Sequence, residues 1–198
     1  MSHSSAINPY ILKLLPENLD KQKILDVGCG NGLWGYNIRL NKDGEPVITG
    51  IDIWKPYLKR LIKTRIYDDL IQANAKKLPF PNNYFDFALC IAVLPHLNKQ
   101  DALIVLDELE RVSHHIIVST HLGFSSQDEI DWNPFQKHIS SWYLQDFTRK
   151  GYKTITVPSI VVPVRFPFDR ILTLLYQLIR YILNPTIKHL KAYIIAWK

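Results

Sequence analysis

The 198-residue sequence has two cysteines, Cys29 and Cys90, too few to indicate a disulfide framework, so we expect a reducing, cytoplasmic environment. No apolar run reaches the roughly 20 residues that a membrane-spanning helix needs. The first ten residues lack a charged segment followed by an apolar run, so we expect no secretory signal. The ligand spacings C-x-x-C and H-E-x-x-H are also absent, and we expect no metal site.

Acidic residues are almost missing from the C-terminal part of the chain. Residues 147–198 contain nine Lys and Arg residues and one acid, Asp169, whereas residues 1–146 contain 15 basic and 17 acidic residues. The net charge of +6 is therefore the sum of −2 and +8. This asymmetry indicates either an acidic partner for the C-terminal part or a solvated basic face.

Segments with the patterns of strands and helices alternate along the chain. Strands are predicted at 23–28, 47–53, 69–74, 84–94, 114–120, 152–157 and 192–197. Helices are predicted at 33–40, 55–63, 101–112, 140–151 and 168–183, and the fourth of these has a serine cap. The alternation predicts one α/β domain over residues 1–198, with an open, mostly parallel sheet covered on both faces. We expect residues 1–22 to form a helical lead-in and residues 158–190 to form an apolar helical insertion before the last strand.

The stretch "ILDVGCGNG" has glycines at every second position where the first strand turns into its helix. Glycine there tolerates a positive φ angle and lets a ligand approach the backbone closely. A plain strand–helix turn is the alternative. A carboxylate, Asp52, ends the second strand about 20 residues later, where doubly wound folds bind a ribose, although a helix cap explains Asp52 taken alone equally well.

These motifs resemble the first two motifs of class I S-adenosylmethionine-dependent methyltransferases, "ILDVGCGNG" being followed by "GIDIW". The stretch "ANAKKLPFPNNYFDFALCIAVLPHL" is similar to the family's segment across strands three and four. The similarity covers Ile24 to about Thr120, and "KAYIIAWK" fits the family's antiparallel last strand. The resemblance implies a Rossmann-like sheet of seven strands and S-adenosylmethionine as cofactor.

By that resemblance, the cofactor contacts run along the carboxyl ends of the first four strands. The glycines and the first acid hold the methionyl part, Asp52 takes the ribose hydroxyls, and Ile53 packs on the adenine. The implied cofactor-binding set is Asp26, Gly28, Gly30, Gly32, Asp52, Ile53, Asn74, Ala75 and Ile91. The family usually has Asp at position 74. Asn74 still accepts hydrogen bonds through its side-chain oxygen, but without the charge.

Candidate acceptor-side residues follow strands four and five. His121 is the better candidate for a general base, and His96 is the second. Trp132, Phe135, His138 and Trp142 are predicted to wall an apolar acceptor pocket, although aromatic side chains that anchor the loop onto the fold are an equal alternative. Methyl transfer from a sulfonium needs alignment more than acid–base chemistry, so a catalytic triad is not required.

The predicted helix at 168–183 is apolar around most of its circumference, more than one sheet-covering face requires. Three interpretations stay open: a homodimer contact, a lid over the acceptor pocket, or a peripheral membrane contact helped by the basic surroundings. We therefore expect a methyltransferase with a small, partly apolar acceptor. The alternatives are an RNA methyltransferase, for which no separate RNA-binding module is visible, and an inactive S-adenosylmethionine-binding partner protein.

Overall fold

The computed structural model describes residues 7–158 and 192–198. The strands are β1 (Lys23–Val27), β2 (Val47–Asp52), β3 (Asp69–Gln72), β4 (Phe85–Ile91), β5 (Ser113–His121), β6 (Lys153–Pro158) and β7 (Ala192–Trp197). The helices of this part of the chain are α1 (Asn8–Lys13), α2 (Leu33–Asn41), α3 (Lys55–Leu61), α4 (Lys99–Val112) and α5 (Leu144–Thr148). All seven predicted strands are present. The predicted helix at 168–183 lies outside the described residues, as does all of the 158–190 segment except Pro158.

The seven strands form one sheet in the order β3-β2-β1-β4-β5-β7-β6. β7 runs antiparallel to both of its neighbours, and the other recorded pairings are parallel. The predicted Rossmann-like sheet with a reversed last strand is therefore confirmed. The chain builds outward from β1 to β3 and then crosses back to β4 on the other side of β1. In such sheets a crevice opens at the carboxyl ends of the two strands that flank this switch point.

The core is divided between the two faces of the sheet because successive strand residues point to opposite sides. Ile24 packs with α1, α2 and α3 on one face, and the next residue, Leu25, packs with α4 and α5 on the other. Both faces are thus apolar and covered, which explains the near-continuous apolar runs of the central strands. Among the described residues, no helix is long and apolar enough to cross a bilayer.

The fourth predicted helix is shorter than its pattern indicated, and its serine cap was wrong. The segment before it is held extended, since Gly123 and Trp142 exchange backbone hydrogen bonds of 2.7 and 3.3 Å. The helix begins only at Leu144, and the Asp146 carboxylate accepts the Tyr143 N–H at 2.8 Å.

Trp142 is fully buried in the core on the α4 side of the sheet. Its ring lies 5.3 Å from the Phe147 ring, and the Lys99 ammonium lies 3.7 Å from the indole centroid. The indole N–H donates to Ser140 Oγ at 3.0 Å. This tryptophan therefore anchors the segment that follows β5 onto the fold.

We expect Trp142→Ala to lower the free energy of unfolding by about 3–5 kcal/mol, because it removes a large buried ring and leaves a cavity. Trp132→Ala is the matched control: its side chain is 93% exposed, so we expect a change within about 0.5 kcal/mol. Urea unfolding followed by circular dichroism measures both variants. Similar losses for the two variants would contradict the assignment of Trp142 as the anchor.

Candidate functional site

A cleft opens at the carboxyl ends of β1, β2, β4 and β5, at the predicted switch point. Its empty space, counted out to the solvent at its open mouth, is about 1090 Å³. One end is formed by the glycine loop and the end of β2, and the other by three histidines and the segment 127–138. Predicted site residues that line this cleft are Gly28, Gly30, Asp52, Ile53, Asn74, Ala75, Ile91, His96, His121 and His138.

The glycine loop needs its glycines for conformation and for space. Gly28, Gly30 and Gly32 all have positive φ angles, of 70°, 53° and 85°. A Cβ atom on Gly28 would lie 2.4 Å from Val93 Cγ2, so any side chain there would collide with the segment that follows β4. The N–H groups of Gly28 and Cys29 both donate to the Ile51 carbonyl, at 2.8 and 2.9 Å. The loop is therefore packed tightly against the ends of two strands.

The carboxylate of Asp52 joins the glycine loop to the end of β2. Its Oδ2 accepts the Gly30 N–H at 2.9 Å, and its Oδ1 accepts the Trp54 N–H at 2.7 Å. Burial raises the pKa of Asp52, although the N–H groups of Trp54 and Gly30 oppose this rise. The side chain lines the cleft, so a carboxylate and a backbone turn face the same space.

Asp26 and Gly32, two of the predicted cofactor contacts, do not line the cleft. The Asp26 carboxylate is buried and accepts a hydrogen bond from the Tyr67 hydroxyl at 2.6 Å. The Tyr67 oxygen in turn accepts the Gly35 N–H at 3.2 Å. Asp26 thus connects β1 to α2 through a tyrosine, and Gly32 starts that helix. Tyr67 carried no sequence signal, because it lies 41 residues from Asp26 and outside any motif.

Three histidines meet at the other end of the cleft. The His138 ring lies between the other two, with centroids 4.7 Å from His96 and 5.2 Å from His121. Burial, and to a lesser extent the neighbouring His138, lower the pKa of His96 to about 4. Among the described residues, no group of three or more His, Cys, Asp or Glu side chains is arranged to hold a metal ion.

The two tryptophans predicted to wall the acceptor pocket lie elsewhere. Trp142 belongs to the core, and Trp132 is exposed at the tip of a turn where it and Asp131 have positive φ angles of 58° and 55°. The apolar character of a tryptophan in the sequence did not show whether its side chain would be buried in the core or would line the pocket. The same segment supplies Phe135, a predicted pocket-wall residue, to the cleft lining, together with three residues that the site prediction did not include: Gln127, Asn133 and Gln136.

The cleft fits a nucleoside sulfonium. A buried carboxylate beside glycine backbone suits the two hydroxyl donors of a ribose, since an ionised carboxylate is an acceptor at both oxygens. Apolar side chains from the ends of β2, β3 and β4 line the adjoining space, where an adenine ring would find flat apolar contact.

The buried Asp26 carboxyl makes stability depend on pH. Burial is the main cause that raises its pKa from 3.8 to about 7, while the Tyr67 hydroxyl opposes the rise and the Asp52 charge adds to it. Between these two values the folded protein keeps a proton that the unfolded chain has released. The free energy of unfolding therefore falls as pH rises through this window, by up to about 1.4 kcal/mol per unit.

We expect Asp26→Asn to remove this dependence. Urea unfolding of both proteins at about pH 5 and about pH 8 measures it. From the lower to the higher pH, the free energy of unfolding of the wild type is expected to fall by about 2–3 kcal/mol more than that of the variant. Parallel pH profiles would contradict a raised pKa for Asp26.

A family model described as a methyltransferase domain matches residues 25–115. The matched residues run from β1 into β5 and include the glycine loop, Asp52 and the end of β4. They contain the cofactor end of the cleft and one of its three histidines, His96.

The relatives include enzymes with different acceptors. The chain is 33% identical to an uncharacterised protein of Methanocaldococcus jannaschii over 75% of this chain and 64% of that protein. It is 38% identical to the demethylmenaquinone methyltransferase of Bacillus licheniformis over 44% of this chain and 38% of that enzyme. It is 31% identical to the tRNA U34 carboxymethyltransferase of Nautilia profundicola over 52% of this chain and 33% of that enzyme. The chain thus spans from about a third to just under two thirds of the length of these relatives.

Among solved structures, an S-adenosylmethionine-dependent methyltransferase from Mesorhizobium loti has the same fold, with a TM-score of 0.60, 18% identity and 98% of both chains covered. The strand order, the glycine loop beside Asp52 and the matched domain agree with one another, and S-adenosylmethionine is the cofactor that they imply. The family match over residues 25–115 and the shared fold support a class I S-adenosylmethionine-dependent methyltransferase.

Proposed function

We propose that the protein transfers a methyl group from S-adenosylmethionine to a small, partly apolar acceptor. The observation that carries this proposal is that a single cleft joins the Asp52 end to the histidine end. The cofactor, when bound, supplies a methyl group already activated by a sulfonium. The protein then has to align the acceptor with that methyl group and exclude water.

The cofactor end of the cleft has the groups that this activity needs. In the proposed complex, Asp52 accepts the ribose hydroxyls and Ile53 and Ile91 pack on the adenine. Asn74 and Ala75 face the adenine edge. The Asn74 oxygen already accepts the Lys76 N–H at 3.0 Å, and its second lone pair is the one proposed to accept from the adenine amino group.

The acceptor end of the cleft favours an uncharged ligand. Among the described residues, its lining contains no Lys or Arg, and its polar groups are imidazoles and amides. Three exposed acids lie in the same wall segment: Asp128, Glu129 and Asp131. Their negative charge opposes the approach of a polyphosphate backbone, whereas an uncharged amphiphilic molecule meets no such opposition.

A tRNA acceptor is the second candidate, supported by the similarity to tRNA U34 carboxymethyltransferases and by the charge of +8 on residues 147–198. A homodimer or a membrane contact through the 158–190 segment also stays a proposal, since nearly all of that segment lies outside the described residues.

Binding of S-adenosylhomocysteine tests the cofactor assignment. We expect Asp52→Asn to raise the dissociation constant about 10- to 100-fold, because a hydrogen bond to a charged acceptor is worth about 1.5–3 kcal/mol. Isothermal titration calorimetry measures this, with thermal unfolding to confirm that the variant is folded.

Asp107→Asn is the matched control for that measurement. Asp107 is exposed on α4, where it accepts from Lys150, and it does not line the cleft. We expect Asp107→Asn to bind S-adenosylhomocysteine with the same dissociation constant as the wild type. An Asp52→Asn variant that binds as tightly as Asp107→Asn would contradict the ribose assignment.

The acceptor class is tested with S-adenosylmethionine labelled on its methyl group. We expect label to enter a neutral organic extract of cells rather than total RNA, because the cleft lining, as far as the described residues form it, offers no cation to pair with phosphate. Labelled RNA whose yield falls steeply with added salt would instead support the tRNA candidate. Binding of S-adenosylhomocysteine without label in either pool would favour a partner protein that binds the cofactor without transfer.

A further inference from the structure

The central histidine of the cleft has its ring orientation set by the protein backbone. His138 Nδ1 lies within hydrogen-bond distance of the Ser125 carbonyl oxygen. A carbonyl oxygen only accepts hydrogen bonds, so the Nδ1 atom must carry the hydrogen. In the neutral ring, Nε2 is then the nitrogen with the lone pair and is the basic atom.

The backbone of the same residue is held as well. The His138 N–H donates to the Gln127 carbonyl at 2.9 Å, and the Gln127 amide donates to the Gln136 carbonyl at 2.7 Å. On the far side, the Ile139 N–H donates to the Pro95 carbonyl at 2.8 Å. The backbone that carries the ring is therefore held on both sides of His138, as is expected of a base that must meet a reacting group in one orientation.

The other two histidines of the cleft have different surroundings from His138. His96 also faces a carbonyl with Nδ1, that of Lys137 at 3.2 Å, but its pKa of about 4 makes it a weak base near neutral pH. His121 lies at the end of β5, with its ring 4.7 Å from the Tyr193 ring on β7. Among the described residues, the lining contains no carboxylate except Asp52, which lies at the other end.

We infer that His138 is the general base of the reaction, accepting the acceptor's proton at Nε2, and that His96 and His121 are its neighbours in the cleft. This inference rests on the proposed function. The acceptor atom bonds to the methyl carbon as the electron pair of the broken carbon–sulfur bond passes to sulfur, and the acceptor's proton moves to Nε2. The hydrogen bond from Nδ1 to Ser125 strengthens as the ring becomes charged, since charge-assisted hydrogen bonds are the stronger ones.

The tautomer is tested without any acceptor, by long-range proton–nitrogen correlation NMR on the protein bound to S-adenosylhomocysteine. His138→Asn assigns the signals of the central ring. We expect Nδ1 to be the protonated nitrogen of His138 in the neutral form. Observation of the Nε2–H tautomer as the major form would overturn the inference.

The proton transfer is tested with His138→Asn, because an asparagine amide nitrogen takes the place of Nδ1 and keeps the donor to Ser125 while removing the base. With the neutral organic extract as acceptor pool, we expect the initial labelling rate to fall at least about 100-fold, the range for loss of a general base. The dissociation constant for S-adenosylhomocysteine is expected to stay within about twofold of the wild type, since the cofactor end is unchanged.

Two further variants separate the base from a structural role. His114→Asn alters an exposed histidine of β5 outside the cleft and is expected to label at the wild-type rate. The labelling rate of the wild type is expected to decline at acidic pH. His121→Asn is expected to keep this decline, and His138→Asn is expected to lose it. Labelling by His138→Asn within about threefold of the wild type, or loss of that decline in His121→Asn instead, would overturn the inference. No labelling by the wild type itself would contradict the methyltransferase proposal, which separates the two failures.

Discussion

The carboxylate of Asp52 is the contact on which the cofactor end of the cleft depends. One side chain accepts the Gly30 N–H and the Trp54 N–H, so it fixes the glycine loop against the end of β2. Without this acceptor, two backbone donors beside the cleft would lose their partner, at a cost of about 1–3 kcal/mol for each buried group. The side chain also lines the cleft, so the group that holds the glycine loop is the one proposed to bind the ribose.

The histidine end of the cleft is held by contacts of a different kind. The segment between β5 and α5 has little regular structure, and it is held by contacts to its surroundings. Trp142 is buried in the core, Gly123 pairs with it, and Pro95 accepts hydrogen bonds from Ile139 and Ser140. These contacts decide which side chains of the segment reach the cleft. The segment that carries His138 is therefore anchored by core packing and by backbone hydrogen bonds.

Much of the fold was predictable because parallel strands buried on both faces leave a strong signal. The runs around Ile24 and Ile48 are apolar with an acid at the carboxyl end, and helices follow each strand. The helix before β6 was predicted too long, because the extended pairing of Trp142 with Gly123 comes from residues 19 positions apart. Periodicity within a short window carries no information about such a pairing.

The sequence by itself determined the sheet and the glycine turn, because these depend on local backbone requirements and on residues close to strand ends. Tertiary structure decided the rest. Asp26 faces Tyr67 rather than the cleft, Trp142 enters the core while Trp132 is exposed, and His138 comes to lie between His96 and His121. Each of these outcomes depends on which distant side chain fills the neighbouring space, and close packing between elements settles that only when the whole chain has folded.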